Sequence, residues 1–142
     1  MGELDFLFID LPPGTGDKPL SVMQLIPDMD GVIIVTIPSE VSQAVVKKAI
    51  TFARQVGMPI IGIIENMGGF TCPECGAKID IFKAGGGQKI SEDMSAPFLG
   101  SIPIDPEICR DSDNGIPFII EHADSPAAKA FAEIVKKVKH FL

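Results

Sequence analysis

Ile60-Ile-Gly-Ile-Ile-Glu-Asn-Met-Gly-Gly69 passes without a break from a branched apolar run into a carboxylate, an amide and a glycine pair. The apolar part does not alternate with polar residues, which is the pattern of a strand covered on both faces in a parallel sheet. Residues 4–9, 32–36 and 98–102 have the same character. Each run gives way to a polar or Gly/Pro sequence: Asp10-Leu-Pro-Pro-Gly-Thr-Gly-Asp17, Thr36-Ile-Pro-Ser-Glu40 and Pro103-Ile-Asp105. Helical spacing fills two of the intervals. Val41, Ala44, Val45, Ala49, Phe52, Ala53 and Val56 fall on one face between a Ser39 N-cap and a Gly57 stop. Near the C-terminus, Ser125 caps a helix with Pro126 at its first position. Its stripe runs through Ala127, Ala128, Phe131, Ile134, Val135 and Val138, and Lys136, Lys137 and Lys139 suit its C-terminal end. This alternation predicts a doubly wound α/β fold, a mostly parallel sheet with flanking helices, as one domain over residues 1–142. Its ligands would bind beyond the carboxyl ends of the strands.

Composition narrows the function. The chain has 142 residues and a net charge of -7. It carries no Lys/Arg stripe of the kind needed to displace counterions from a phosphate backbone, so nucleic acid is not an expected partner. No apolar run approaches the ~18 residues of a membrane span, and nothing at the start reads as a secretory signal. A cytoplasmic location and no membrane partner are expected. Three cysteines, two of them three positions apart, fit metal or redox chemistry in a reducing compartment better than a disulfide framework.

A carboxylate at the tip of an apolar strand, followed by a Gly/Pro loop, is how phosphate-handling α/β proteins place Mg2+ and sense a terminal phosphate. Asp10 has that position, although such a residue can also merely cap a strand. Gly14 and Gly16 can bring backbone N–H groups close to phosphate oxygens because no side chain intervenes. Taken with Pro38-Ser-Glu-Val-Ser-Gln43, Glu65-Asn-Met67, Cys72-Pro-Glu-Cys-Gly76 and Gly100-Ser-Ile-Pro-Ile-Asp105, the octet at 10–17 resembles the Walker B and switch II segment of Mrp/ApbC-type iron-sulfur carrier ATPases, members of the MinD/ParA-like deviant P-loop superfamily. The resemblance implies ATP and Mg2+ as cofactors. It places Asp10 at the catalytic magnesium through water, Gly14 and Gly16 against the terminal phosphate, and Asn66 on the adenine edge, where an amide can donate and accept together. Pro103 and Asp105 would close the base pocket.

The phosphate-cradling Gly-x-x-x-x-Gly-Lys-Ser/Thr loop does not occur. Gly85-Gly-Gly-Gln-Lys89 has the wrong spacing and reads as the start of a helix; Lys18 lacks the required context. The family's phosphate loop precedes the octet, so the sequence is expected to be the C-terminal portion of a P-loop ATPase domain without its Walker A segment. Strand edges would then be open to another copy or another protein. Such a chain should bind ATP weakly and hydrolyse it negligibly.

Residues 68–87 are too long for an ordinary strand-to-helix connection and carry Cys72-Pro-Glu-Cys75-Gly76, the two-thiolate turn of zinc and iron-sulfur sites. Two thiolates are half of a tetrahedral site, which a second copy on a twofold axis would complete. From the residues alone, an iron-sulfur cluster, structural Zn2+ and a redox pair stay open. A redox pair normally opens a helix, whereas Gly-Ala-Lys-Ile-Asp-Ile-Phe after Cys75 reads as an extended hairpin arm. The resemblance implies a [4Fe-4S] cluster bridging a homodimer at Cys72 and Cys75, carried to apo iron-sulfur proteins. Two other functions fit parts of the sequence: a noncatalytic zinc- or cluster-bridged dimerisation module, and a MinD/ParA-like positioning ATPase, which leaves the CxxC pair unexplained. Cys109 is expected to be a packing residue. Lys47, Lys48, His122 and His140 are expected on the surface, the histidines without ligand roles.

Overall fold

A computed structural model of the chain describes residues 3–12, 17–26, 28–72 and 74–142. In chain order the elements are α1 (Asp17–Leu25), β1 (Val32–Thr36), α2 (Glu40–Gln55), β2 (Ile60–Thr71), β3 (Lys78–Ile79), α3 (Gly86–Met94), β4 (Phe98–Ile104), α4 (Pro106–Asn114), α5 (Phe118–Glu121) and α6 (Pro126–Phe141). The central strand is β2. It pairs in parallel with β1 on one side and β4 on the other, and its far end, at Phe70 and Thr71, pairs antiparallel with β3. The expected α/β architecture is therefore present, with a mostly parallel sheet.

Helices cover both faces of that sheet. On one, Ile61, Leu99 and Ile102 pack with Phe118 and with Ala127, Ala128, Ile134 and Val138 of α6. On the other, Ile63 packs with Val46 and Ile50 of α2, Ile90 of α3 and Ala96. Ile61 and Ile63 share parity along the strand, yet they serve opposite cores. A bulge explains it: Val32 lies opposite Ile60 but Ile33 lies opposite Gly62, so one extra residue of β2 turns the pleat over. Only glycine fits at the turnover. A Cβ on Gly62 would stand 2.6 Å from Leu99 Cγ and 2.9 Å from the Pro97 carbonyl oxygen.

The capped helices form where the sequence places them. Ser39 Oγ accepts from the Ser42 amide at the start of α2, Gly57 takes a positive φ just past its end, and Ser125 Oγ accepts from the Ala128 amide ahead of Pro126. The glycine-rich stretch at 85–89 does begin a helix, α3. The buried face of α2 differs from the expected stripe, however. Val46, Ile50 and Ala53 are buried, while Val41 and Val45 face outward. Two apolar faces compete on this helix, and only one meets an element of the chain.

Residues 4–9 are not a strand. They are unpaired, with a bend at Asp5, and Leu4, Phe6, Leu7, Phe8 and Ile9 are exposed, Phe8 at 73%. Their described contacts are with one another and with the end of α6: Phe6 and Phe8 stack at 6.4 Å, and Lys139 Nζ lies 5.8 Å from the Phe6 ring centroid. A continuously apolar strand needs hydrogen-bonding neighbours on both edges. Among the described residues, no strand pairs with the outer edge of β1, so that sheet position is open. Among the same residues, no helix is long and apolar enough to cross a membrane.

Replacing Gly62 by alanine should cost about 1–3 kcal/mol, the usual range for overpacking a tight core. Urea unfolding followed by circular dichroism checks the loss; an unchanged midpoint would remove the steric account of the bulge.

Candidate functional site

The carboxyl ends of β2 and β4 lie side by side, with Asn66 opposite Ile102 and Phe70 opposite Ile104. Between those two pairs β2 spends four steps and β4 two. The excess makes a second bulge at Met67, Gly68 and Gly69, in which Met67 takes the left-handed conformation with φ 58°. The side chain of Asn66 braces it, Oδ1 accepting from the Met67 amide at 2.9 Å. Pro103 is next to Ile102 on β4, and Asp105 follows as the N-cap of α4, its Oδ1 accepting from the Glu107 amide at 3.1 Å. The structure thus gathers Asn66, Pro103 and Asp105, all half-buried, on one sheet edge.

One residue at this edge was not singled out in the sequence. Glu65 is buried at 3% exposure, next to Asn66. Its Oε2 accepts from the Gly87 amide at 2.6 Å and its Oε1 from Ser101 Oγ at 3.0 Å. Gly87 is in the first turn of α3, so the carboxylate meets the positive end of that helix. Close approach requires glycines: a Cβ on Gly87 would lie 2.9 Å from Glu65 Cβ, and one on Gly68 would collide with Ser101 Oγ. Gly86 presses against Pro38 in the same way. Gly86 and Gly87 are therefore packing residues that bring α3, the loop after β1 and the tip of β2 together, while Gly85 supplies the left-handed N-cap of α3 at φ 75°. The visible signal was a carboxylate embedded in an apolar strand.

From the bulge, β2 runs on into a hairpin with β3 whose tip carries the cysteines. The Cys72 amide donates to the Ala77 carbonyl and the Gly76 amide to the Cys72 carbonyl, both at 2.9 Å, with Gly76 at φ 70°. Cys72 is half-buried, Cys75 is exposed, and neither is in a disulfide. The Cys72 thiol is held below the ordinary thiol range, first by the backbone N–H of Cys75, then by that of Glu74 and by the Cys75 side chain. Donors aimed at sulfur favour the thiolate, the form that binds metal. The expected extended arm after Cys75 is β3. Lys83, beyond it, pairs with Glu40 of α2 at 2.6 Å and pulls the Glu40 carboxyl below its usual range; both groups are well exposed, so the tie is worth little energy.

Other predicted positions fall elsewhere. Asp10 is exposed on the unpaired segment outside the sheet, and Gly14 and Gly16 lie outside the described residues. Cys109 is exposed on α4, so it is not the packing residue expected; α4 turns another face inward. Lys47 is bound rather than free, pairing with Asp93 of α3 at 2.7 Å. His122 has an acidic neighbour that lies far from it in sequence, Asp111, which the α4–α5 turn brings to its ring.

A mostly parallel sheet layered between helices, with polar groups at its carboxyl edge, defines a doubly wound α/β architecture. The family model described as ParA, NUBPL iron-transfer P-loop NTPase, matches residues 1–139, and the chain belongs to that family. Two curated relatives are both described as iron-sulfur cluster carrier proteins. The one from Saccharolobus solfataricus is 52% identical over 137 residues, 96% of this chain and 46% of the relative. The one from Methanocaldococcus jannaschii is 53% identical over 137 residues, 96% of this chain and 47% of the relative. This chain spans about half the length of the curated relatives it matches. Among solved structures, a nucleotide-binding protein from Archaeoglobus fulgidus, in complex with ADP and with cobalt found, superposes with a TM-score of 0.70 at 46% identity, covering 80% of this chain and 46% of that one. The cell division ATPase MinD of Pyrococcus furiosus, at 22% identity and a TM-score of 0.63, covers 87% of this chain and 48% of its own and shares the fold.

Two outcomes test the local geometry. Glu65→Ala leaves the Gly87 and Ser101 donors without their acceptor and should cost about 1–3 kcal/mol, with Glu65→Gln costing less because it keeps one carbonyl acceptor. Iodoacetamide should alkylate Cys72 with a midpoint below the ~8.5 of a free thiol: the lowered pKa means thiolate persists as pH falls, so the rate profile shifts to the acid side. Peptide-resolved mass spectrometry across pH checks it.

Proposed function

We propose that this chain is the cluster-holding and base-recognising portion of a nucleotide-dependent iron-sulfur cluster carrier. The observation that carries the reading is the hairpin tip, where two free thiols stand together at the surface with backbone donors on Cys72 sulfur. A [4Fe-4S] cluster is the cargo. Cys72 and Cys75 supply two of its four thiolates and the same pair of a second copy supplies the rest, so the loaded form is a homodimer bridged at these residues. Clients are apo iron-sulfur proteins, and the setting is the reducing cytoplasm. The descriptions of the curated relatives support a carrier role.

The nucleotide part of the reading rests on Asn66, Pro103 and Asp105, with the ADP of the Archaeoglobus fulgidus relative in support. Asn66 uses Oδ1 in bracing the bulge, and its amide NH2 stays available to a ring acceptor on the base. Asp10, Gly14 and Gly16 would register Mg2+ and the terminal phosphate, whose cradle must come from a segment carrying a phosphate loop. When bound, ATP supplies a terminal phosphate whose loss relaxes the groups that sense it. Within this chain the two sites are joined covalently: Asn66 and Cys72 belong to one continuous run of β2 and its hairpin, with the Met67–Gly69 bulge between them.

Anaerobic reconstitution with iron and sulfide should give the broad visible absorption of a [4Fe-4S] cluster and shift the chain to a dimer in size-exclusion chromatography. Cys72→Ser/Cys75→Ser should do neither; an equal signal from that variant would sink the proposal, and uptake of Zn2+ alone would convert the site to a structural zinc bridge. Phosphate release from ATP by the isolated chain should stay at background.

A further inference from the structure

We infer that Glu107, Asp111 and His122 form a binding site for one divalent transition-metal ion of the zinc class, separate from the cysteine hairpin. Glu107 and Asp111 stand one turn apart on α4 and so share a face, and His122 follows α5, folded back against it. One ligand atom from each of the three lies within 4.8 Å of the others. The arrangement is a carboxylate–carboxylate–imidazole set, which suits Zn2+, Co2+ or Fe2+ better than Mg2+ or Ca2+ because of its nitrogen donor.

Asp111 gives the independent indication. The residue is 8% exposed, and its Oδ2 has no hydrogen-bond partner. A buried carboxylate oxygen left in that state is costly. It faces His122 Nε2 at 3.3 Å without forming a hydrogen bond to it. Two ligand atoms that each stand ~2.0–2.1 Å from a tetrahedral ion are separated by about 3.3 Å, the spacing found here. An ion between them would satisfy the orphan oxygen and turn an uncompensated contact into a coordinated one.

The surroundings fit. His122 stacks on Phe118 with ring centroids 5.3 Å apart, which fixes the direction of its ring. Glu107 Oε1 receives Arg110 at 2.6 Å, leaving its second oxygen for a ligand bond. Glu107 and His122 keep more than a third of their side-chain surface exposed, so an ion can enter. Three protein ligands leave one position for water.

The test removes every thiol first. In Cys72→Ser/Cys75→Ser/Cys109→Ser, without nucleotide, Co2+ titration should yield visible d–d bands, no sulfur-to-cobalt charge-transfer band, a stoichiometry of one ion per chain, and displacement by Zn2+. His122→Gln and Glu107→Gln in that background should each weaken binding at least about ten-fold, with unchanged circular dichroism, and Asp111→Asn should abolish it. Should Asp111→Asn fail to fold, the two more exposed variants decide. No cobalt bound at millimolar concentration, or equal binding by His122→Gln, overturns the site.

Discussion

The hydrogen bonds of Glu65 hold the functional edge together. Its carboxylate is buried, and among the described residues no cation pairs with it. What stabilises it is the amide of Gly87 at the start of α3 and the hydroxyl of Ser101 on β4. Three segments far apart in sequence are therefore fixed by one side chain: the tip of β2, the middle of β4, and the helix that ends the cysteine excursion. Nearby, three glycines permit close approach at this junction and beside it. Gly68 meets Ser101, Gly87 meets Glu65, and Gly86 meets Pro38. The negative charge and the missing Cβ atoms are one device, since a helix end can approach a buried carboxylate only where nothing bulky intervenes.

Two bulges give β2 its separate jobs. The first, at Gly62, lets four isoleucines serve both cores by turning the pleat over once. The second, at Met67–Gly69, lets the strand leave the parallel sheet and continue as a hairpin without breaking. Asn66 ends the first region and its side chain braces the second. A residue expected to read a base is therefore also a structural member of the turn that leads to the cysteines.

Much of this was legible in the residues because it depends on local chemistry. Apolar runs at 32–36, 60–64 and 98–102 became strands, the caps at Ser39 and Ser125 formed, and the extended arm after Cys75 paired as β3. What could not be read depends on partners distant in sequence. Periodicity on α2 was compatible with two faces, and only the packing of Ile63 and Ile90 selects Val46, Ile50 and Ala53. Glu65 looked like part of a motif because its acceptor role requires Gly87 and Ser101. His122 looked solitary because Asp111 reaches it through the fold of α4 onto α5. The proximity of Asn66, Pro103 and Asp105 followed from parallel strand order, which the sequence pattern did anticipate.

Residues 4–9 show the limit of reading strands by composition. Their apolar character matches that of β2, yet β2 is buried and they are not. The difference lies in neighbours: β2 has β1 on one edge, β4 on the other and helices on both faces, while the unpaired segment reaches the end of α6 through Phe6 and Lys139. Among the described residues no strand covers the outer edge of β1, Val35 on that strand is 60% exposed, and Val41 and Val45 show a second apolar face on the helix that follows. Apolar surface of this extent on a strand, a helix and an unpaired segment marks a covering element, and a free parallel edge specifies its kind, because a ladder of N–H and C=O groups is met best by another strand.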